Sequence, residues 1–168
     1  TYGRVTGIGD RAAWLRHNGD LDWYRYLRAV DGYNDFRTRN ALSDFTDLLS
    51  TYKDWGEPLP VDEAYVDEAQ DATMLQWRCI ERAFAQTPVL WVGGDDDQSI
   101  YRWSGAATEH FIAMCNAVPP PVHLEYSQRL PAAVYRLALQ ILARIRHRHP
   151  KPMRVLPTAI EGRVAYEA

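Results

Sequence analysis

The chain has 168 residues, 46% of them apolar, and a formal net charge of −3. These values allow one sizeable core and exclude a uniformly basic wrapper for nucleic acid, and the ten Tyr and six Trp do not suggest disorder. No apolar run approaches the ~18 residues of a membrane span, and no signal-peptide pattern opens the chain. Cys79 and Cys115 are isolated and form no metal-type spacing. An intracellular, reduced, cytoplasmic protein with no membrane partner is the simplest reading.

Residues 1–40 are expected to be helical. Trp23, Tyr26, Leu27 and Val30 fall at helical spacing, and Gly19-Asp20 and Asp31-Gly32 read as turns. The chain opens at Thr1-Tyr2-Gly3 without an initiator Met, which suits an excised piece. Ser43 is a candidate N-cap for the next helix, whose apolar stripe is Phe45, Leu48, Leu49, Tyr52 and Trp55. Gly56 and Pro58 stop it.

Residues 61–66 are expected to form a short strand that delivers Asp67 at its end. Asp62 and Glu63 interrupt it, although a buried parallel strand is usually a continuous apolar run. The string Val-Asp-Glu-Ala occurs at 61–64 and again at 66–69. The second copy is taken as the one at the strand end, because Gln70-Asp71 and an amphipathic helix with Leu75, Ile80 and Phe84 follow it. Pro88-Val89-Leu90-Trp91-Val92 reads as a second strand, ending at Gly93-Gly94. Strand, helix and strand make a parallel α/β unit.

A helix is expected over 105–115, ended by Pro119-Pro120-Pro121, with a third strand at Val122-His123-Leu124. Pro131 opens the longest helix, with Val134, Leu137, Ala138, Ile141, Leu142 and Ile145 on one face. His147 to Pro152 reads as a linker, and Arg163-Val164-Ala165-Tyr166 as a strand that begins another domain.

Charge is segregated along the chain. Asp62, Glu63, Asp67, Glu68 and Asp71 cluster, and Asp95, Asp96 and Asp97 follow. From Arg129 to Arg154 the only charged side chains are Lys or Arg. Acidic clusters suit a cation and basic stretches suit phosphate, although each is commonly a solvated face.

Ligands gather at the carboxyl ends of parallel strands. Asp67 there suits Mg²⁺, and Glu68 beside it suits the orientation and deprotonation of an attacking water. Gln98 is able to donate to a phosphate oxygen and to accept from water, or is simply a loop glutamine. Tyr101 and Trp103 suit stacking on bases or filling a core, and spacing alone leaves both readings open. Arg129 lies between a strand and a helix, where a guanidinium reaches a transferring phosphate. The five histidines form no metal set, and His147 and His149 read as solvated residues at a helix end.

The joint pattern resembles the UvrD/Rep-type superfamily 1 DNA helicases. Asp67-Glu68-Ala69-Gln70-Asp71 is similar to their motif II, of the Walker B type. Residues 94–106, beginning Gly94-Asp95-Asp96-Asp97-Gln98-Ser99-Ile100-Tyr101-Arg102-Trp103, are similar to motif III. Leu124 to Pro131 is similar to motif IV, with Arg129 in its arginine position. The segment from Ser43 to Leu49 resembles the lead into motif II.

The resemblance implies an α/β fold, a partial RecA-like parallel sheet flanked by helices, with a helical N-terminal segment. It implies that Asp67 binds the Mg²⁺ of Mg-ATP and Glu68 activates water. Gln98 would contact the γ-phosphate, Arg129 would stabilise the transferring phosphate, and Tyr101 and Trp103 would stack on single-stranded DNA. Residues 1–40 would end an inserted subdomain and 41–149 would form the C-terminal half of the first motor domain. Residues 150–168 would begin the second.

Ser104 stands where the family has Arg, and Gly93 where an apolar residue is usual. No Gly-x-x-x-x-Gly-Lys-Ser/Thr occurs in these residues, and neither lysine, Lys53 nor Lys151, follows a glycine. The isolated chain is therefore not expected to hydrolyse ATP, and the rest of the helicase chain is an implied partner. The alternative readings are a non-catalytic helicase-like module that binds single-stranded DNA or a protein, and a metal-dependent nuclease built on the acidic clusters.

Overall fold

A helix of 17 residues, α1 (Trp23–Arg39), begins where Asp22 accepts the Arg25 N–H at 3.1 Å. Its half-buried stripe is the expected one: Trp23, Tyr26, Leu27 and Val30. Trp23 stacks on Tyr26 at 5.5 Å and meets Trp14 edge-on at 5.5 Å. Asp31-Gly32, expected as a turn, lies inside α1. A mid-helix glycine costs only about 0.5–1 kcal/mol relative to alanine, too little to break a helix this long. The structure is a computed structural model that describes Arg4, Ala12, Trp14, Leu15, residues 22–117 and residues 121–165. Gly19-Asp20 lies outside the described residues.

The chain divides into two compact units. One is Thr1–Asp95 with Ser99–Thr108, and the other is Asp96–Gln98 with Glu109–Ala168.

In the first unit α1 is followed by α2 (Phe45–Trp55), β1 (Glu63–Val66), α3 (Met74–Ala83) and β2 (Val89–Val92). Asp44, not Ser43, caps α2. Asp44 accepts the Asp47 N–H at 2.8 Å, and Asp47 accepts the Asp44 N–H at 2.9 Å. A carboxylate wins this position because cations converge on it, a demand no serine meets. Arg4 bonds Asp44 at 3.0 Å and also Asp47, Arg37 pairs with both acids, and the Tyr33 hydroxyl donates to Asp44 at 3.0 Å. Burial raises the Asp44 pKa, but the Asp47 N–H, Tyr33 and Arg4 outweigh it and hold the carboxyl down at about 2.

The expected apolar stripe of α2 does not face inward as a whole. Phe45, Leu48 and Trp55 are exposed, and the inward face carries buried Thr46 with half-buried Leu49, Ser50 and Lys53. Packing against α3 selects that face: Cys79, on α3, donates its thiol to the Leu49 carbonyl at 3.2 Å. A side chain at Gly56, the α2 C-cap, would lie 2.5 Å from both the Tyr52 ring and the Tyr52 carbonyl.

Strands β1 and β2 pair in parallel, Glu63 opposite Val89 and Val66 opposite Val92. The strand-helix-strand unit is the expected one, with β1 starting at Glu63 rather than at 61. This shift explains the acidic strand. Asp62 falls outside β1, and Glu63 lies on its exposed face, where it accepts from the Tyr65 hydroxyl at 2.7 Å and the Trp91 indole at 2.6 Å. Those bonds hold the Glu63 carboxyl below the usual range and keep the two rings nearly parallel, 6.4 Å apart. Alternate residues point the other way, and Ala64 is buried with Leu75, Trp77, Cys79 and Ala83 of α3. Helix α3 opens with a capping box of Thr73 and Gln76.

The second unit holds most of α4 (Thr108–Ala117), then β3 (Tyr126–Ser127), α5 (Ala132–Leu142) and β4 (Arg154–Val155). Four expectations change here. Helix α5, expected as the longest helix and as carrying Ile145, has 11 residues, fewer than the 17 of α1, and ends at Leu142. Helix α4 starts at Thr108 rather than 105, because Gly105 ends a preceding short turn in the left-handed conformation at φ 104°. No strand forms at Val122-His123-Leu124; Val122 and Leu124 are exposed, and the ladder forms two residues later. There Tyr126 pairs with Arg154 and Ser127 with Val155, in parallel. The expected strand at 163–166 is absent over 163–165, and Tyr166 lies outside the described residues.

Helix α5 begins directly after Pro131. Its first N–H groups reach the C-terminal segment: Ala132 to the Ile160 carbonyl at 2.9 Å, and Ala133 to the Glu161 carbonyl at 2.8 Å. Gly162 closes that segment at φ 69°, where a Cβ would lie 2.5 Å from Pro131 Cβ. No helix among the described residues is long and apolar enough to cross a membrane.

Candidate functional site

Strand β1 ends at Val66, so Asp67-Glu68 is the first pair beyond a parallel strand. Of the two Val-Asp-Glu-Ala copies, the second therefore occupies the strand end. Gly93 pins the pair from both sides: its N–H donates to the Val66 carbonyl at 2.8 Å, and its own carbonyl accepts the Ala69 N–H at 3.0 Å. A Cβ on Gly93 would meet Asp67 Oδ1 and the Val66 carbonyl at 3.8 Å, an ordinary contact, so the position has room for a side chain.

Held in this way, Glu68 adopts the left-handed conformation at φ 51°, ψ 39°. A non-glycine residue is held there at a cost of order 1–3 kcal/mol, and surrounding bonds must offset it. Asp67 Oδ1 accepts the Glu68 N–H at 2.8 Å. The Gln70 side-chain amide donates to Glu68 Oε2 at 2.7 Å, and its oxygen accepts the Asp95 N–H at 2.9 Å. Gln70 is one of the two largest fully buried side chains, with Trp77. A buried amide must be satisfied, and here it is, by one partner after β1 and another after β2. In the sequence Gln70 is one member of the Asp67–Asp71 string, and nothing in its spacing signals this bridging task.

A cleft of about 400 Å³ opens here, lined by Asp67, Glu68 and Asp71 together with Leu49, Val66 and Cys79. Asp71 Oδ1 is buried in it and has no hydrogen-bond partner. Burial first, then the charge of Glu68, pushes the Asp71 carboxyl up. Mg²⁺ typically takes one or two carboxylates and keeps several waters. The exposed neighbours Asp67 and Glu68 fit that habit. Among the described residues no group of three or more His, Cys, Asp or Glu forms a fuller ligand cage.

Tyr101 precedes the short turn Arg102–Ser104 and Trp103 lies within it, also in the first unit. Both are exposed, Trp103 by 69%, so core filling is not their role among the described residues. The Tyr101 carbonyl takes the Ser104 N–H at 2.9 Å and the Ser104 hydroxyl at 2.8 Å, which closes the turn. Ser104 thus has a local structural task.

Gln98 and Arg129 lie in the second unit. Gln98 ends the turn Asp96–Gln98, with its side chain exposed. Asp96 and Asp97 are not a solvated acidic run; their side chains are 3% and 4% exposed. Arg148 grips Asp97 with two bonds, at 2.7 and 2.5 Å. Lys151 sits 3.0 Å from Asp97 and also bonds Asp96, which accepts the His149 N–H at 2.7 Å. Burial raises the Asp97 pKa, but Arg148 and Lys151 outweigh it and leave the carboxyl below its usual range.

Nor is His149 solvated. It is half-buried, stacks on His123 at 5.5 Å and lies 3.1 Å from the Asn116 side chain, whereas His147 is exposed. Helix α5 ends at Leu142, so neither histidine is at a helix end. The acidic and basic runs legible in the sequence partly neutralise each other, a pairing that only charge segregation hinted at. Arg129 follows β3, its N–H 3.4 Å from the Ser127 hydroxyl, and it is exposed.

Two carboxylates thus stand beyond a parallel strand, and a buried amide bridges one of them, Glu68, to the backbone beyond the next strand. Residues 15–119 match the family model for the UvrD/REP helicase N-terminal domain, and the chain belongs to that family. It is 30% identical over 148 residues to the ATP-dependent DNA helicase PcrA of Staphylococcus aureus (strain Mu50 / ATCC 700699), covering 82% of this chain and 20% of that protein. It is 30% identical over 128 residues to DNA helicase II of Haemophilus influenzae, covering 70% of this chain and 18% of that protein. The chain thus spans about a fifth of the length of the curated relatives it matches.

Proposed function

We propose that this chain supplies part of the motor of an ATP-dependent DNA helicase or translocase, acting with ATP, Mg²⁺, single-stranded DNA and the remainder of the helicase chain. Residues 41–149 are read as the C-terminal half of a RecA-like motor domain. Residues 1–40 are read as the end of an inserted helical subdomain, and 150–168 as the lead into a second motor domain. The observation that carries the reading is the pinned pair Asp67-Glu68 beyond β1, with Gln70 bridging Glu68 to the Asp95 backbone.

Asp67 is the residue to hold Mg²⁺, which when bound neutralises charge on the phosphate oxygens. Glu68 accepts a proton from the attacking water. Its amide partner Gln70 fixes the carboxylate's direction before substrate arrives, and pre-set geometry is most of what phosphoryl transfer asks of a protein. Gln98 contacts the γ-phosphate through its amide. The exposed Arg129 guanidinium meets the transferring phosphate. Tyr101 and Trp103 stack on DNA bases, a contact tolerant of sequence because every base has a π-face.

The test is Glu68→Gln in the longer protein that carries this segment. DNA-stimulated ATP hydrolysis should fall on the order of 10²-fold or more, with ATP binding retained, because a positioned base contributes that much. Hydrolysis at the wild-type rate would overturn the assignment.

A further inference from the structure

We propose that Lys151 and Arg148 are positioning residues for Gln98: they fix the turn from which its side chain projects. The inference rests on the reading of Gln98 as the γ-phosphate contact. The turn Asp96–Gln98 has three side chains. Two of them, Asp96 and Asp97, are buried and held by groups from 148–151, and the third is exposed. Buried carboxylates demand such partners, so the anchoring is obligatory while the turn keeps this form.

Residues 95 and 99, on either side in sequence, belong to the first unit, whereas 96–98 group with the second. The orientation of the 97–98 peptide is therefore set by a segment about fifty residues further along the chain. That segment leads directly into β4 at Arg154. Arg148 fixes Asp97 with a planar, two-bond fork, which constrains direction as well as distance. Lys151 is the point charge shared by both acids. Because these two cationic heads are engaged internally, the basic run is left with Arg144 and Arg146 as its exposed members near this point.

The experiment measures kcat and KM for ATP in the longer protein carrying Gln98→Ala, Lys151→Met, Lys151→Arg and the pair Gln98→Ala/Lys151→Met. Lys151→Met should lower kcat about tenfold or more with KM for ATP little changed, since a misdirected catalytic contact acts on the rate. Lys151→Arg should restore most of the rate. The paired variant should be no slower than Gln98→Ala alone, because Lys151 acts through Gln98. Asp96→Asn/Lys151→Met removes both charges, leaves no unpaired buried ion and should be as slow as Lys151→Met, which keeps the test valid if Lys151→Met unfolds. Losses that multiply in the paired variant overturn the proposal and leave the reading of Gln98 standing. So does a wild-type rate in Asp96→Asn/Lys151→Met. A wild-type rate in Gln98→Ala alone overturns the reading of Gln98, and the positioning role with it.

Discussion

The Gln70 amide donates to the Glu68 carboxylate at 2.7 Å from a fully buried side chain, so a neutral interior residue sets the direction of the exposed acid. Because the same amide accepts the part-buried Asp95 N–H, its removal leaves that donor without this partner. Gln70→Ala should lower unfolding stability by about 1–3 kcal/mol, the usual result of leaving buried polar groups unpaired. Urea unfolding of the chain measures this. A loss within error would mean that water replaces the amide without penalty.

Gly93 reads differently. Its backbone makes both bonds that pin Asp67-Glu68, and its Cβ position is open. Gly93→Ala should therefore keep the site and stabilise the fold by about 0.4–1 kcal/mol, by narrowing the unfolded ensemble. A thermal midpoint lower than wild type would show that the backbone needs glycine there after all.

Trp103 is exposed, so truncating it removes little packing. Trp103→Ala should leave the thermal midpoint of the chain near wild type. In the longer protein it should weaken single-stranded DNA binding by about 1–3 kcal/mol, the worth of one base-aromatic stack. Fluorescence anisotropy with a labelled oligonucleotide reads the second effect; unchanged affinity removes Trp103 from the DNA contact.

Asp44 links stability to acid. Its folded pKa of about 2 lies below the ordinary 3.8. A depressed folded value means that the unfolded chain takes up the proton more readily. The contribution is thus fully present well above the unfolded value of 3.8 and is lost as pH falls through the folded value of about 2. The stability gap between wild type and Asp44→Asn should be constant from pH 7 to about pH 5 and then close. A gap independent of pH would mean that the Asp47 N–H, Tyr33 and Arg4 do not hold the folded carboxyl below its ordinary value.

What the sequence disclosed depended on how local the cause was. Strand β2 was legible because Val89 to Val92 is an uninterrupted apolar run between turn signals. The α1 stripe was legible because helical spacing is a property of the helix alone. The α2 cap was misread because Ser43 and Asp44 are both good caps, and Arg4 and Arg37 decide between them from elsewhere in the chain. The third strand was misplaced because Val122 and Leu124 have strand-like side chains, whereas the ladder is set by Arg154 and Val155. At the site, the adjacent acids announced themselves by type and spacing. The partners that orient them, Gln70 for Glu68 and Lys151 for the Asp96 turn, are defined by contacts across 2 and 55 residues of chain, and only the first lies within a motif.

One feature of the sheets bears on lifetime rather than on chemistry. Each of the four strands among the described residues has a neighbour on one side only. The loss of a single ladder therefore frees every interstrand amide of β1 and β2 at once. Their protons should exchange with deuterated water sooner than those at the centre of α3, whose bonds close within the helix and whose side chains are buried. The strand that delivers the acidic pair is thus held in register with less kinetic protection than the helix behind it.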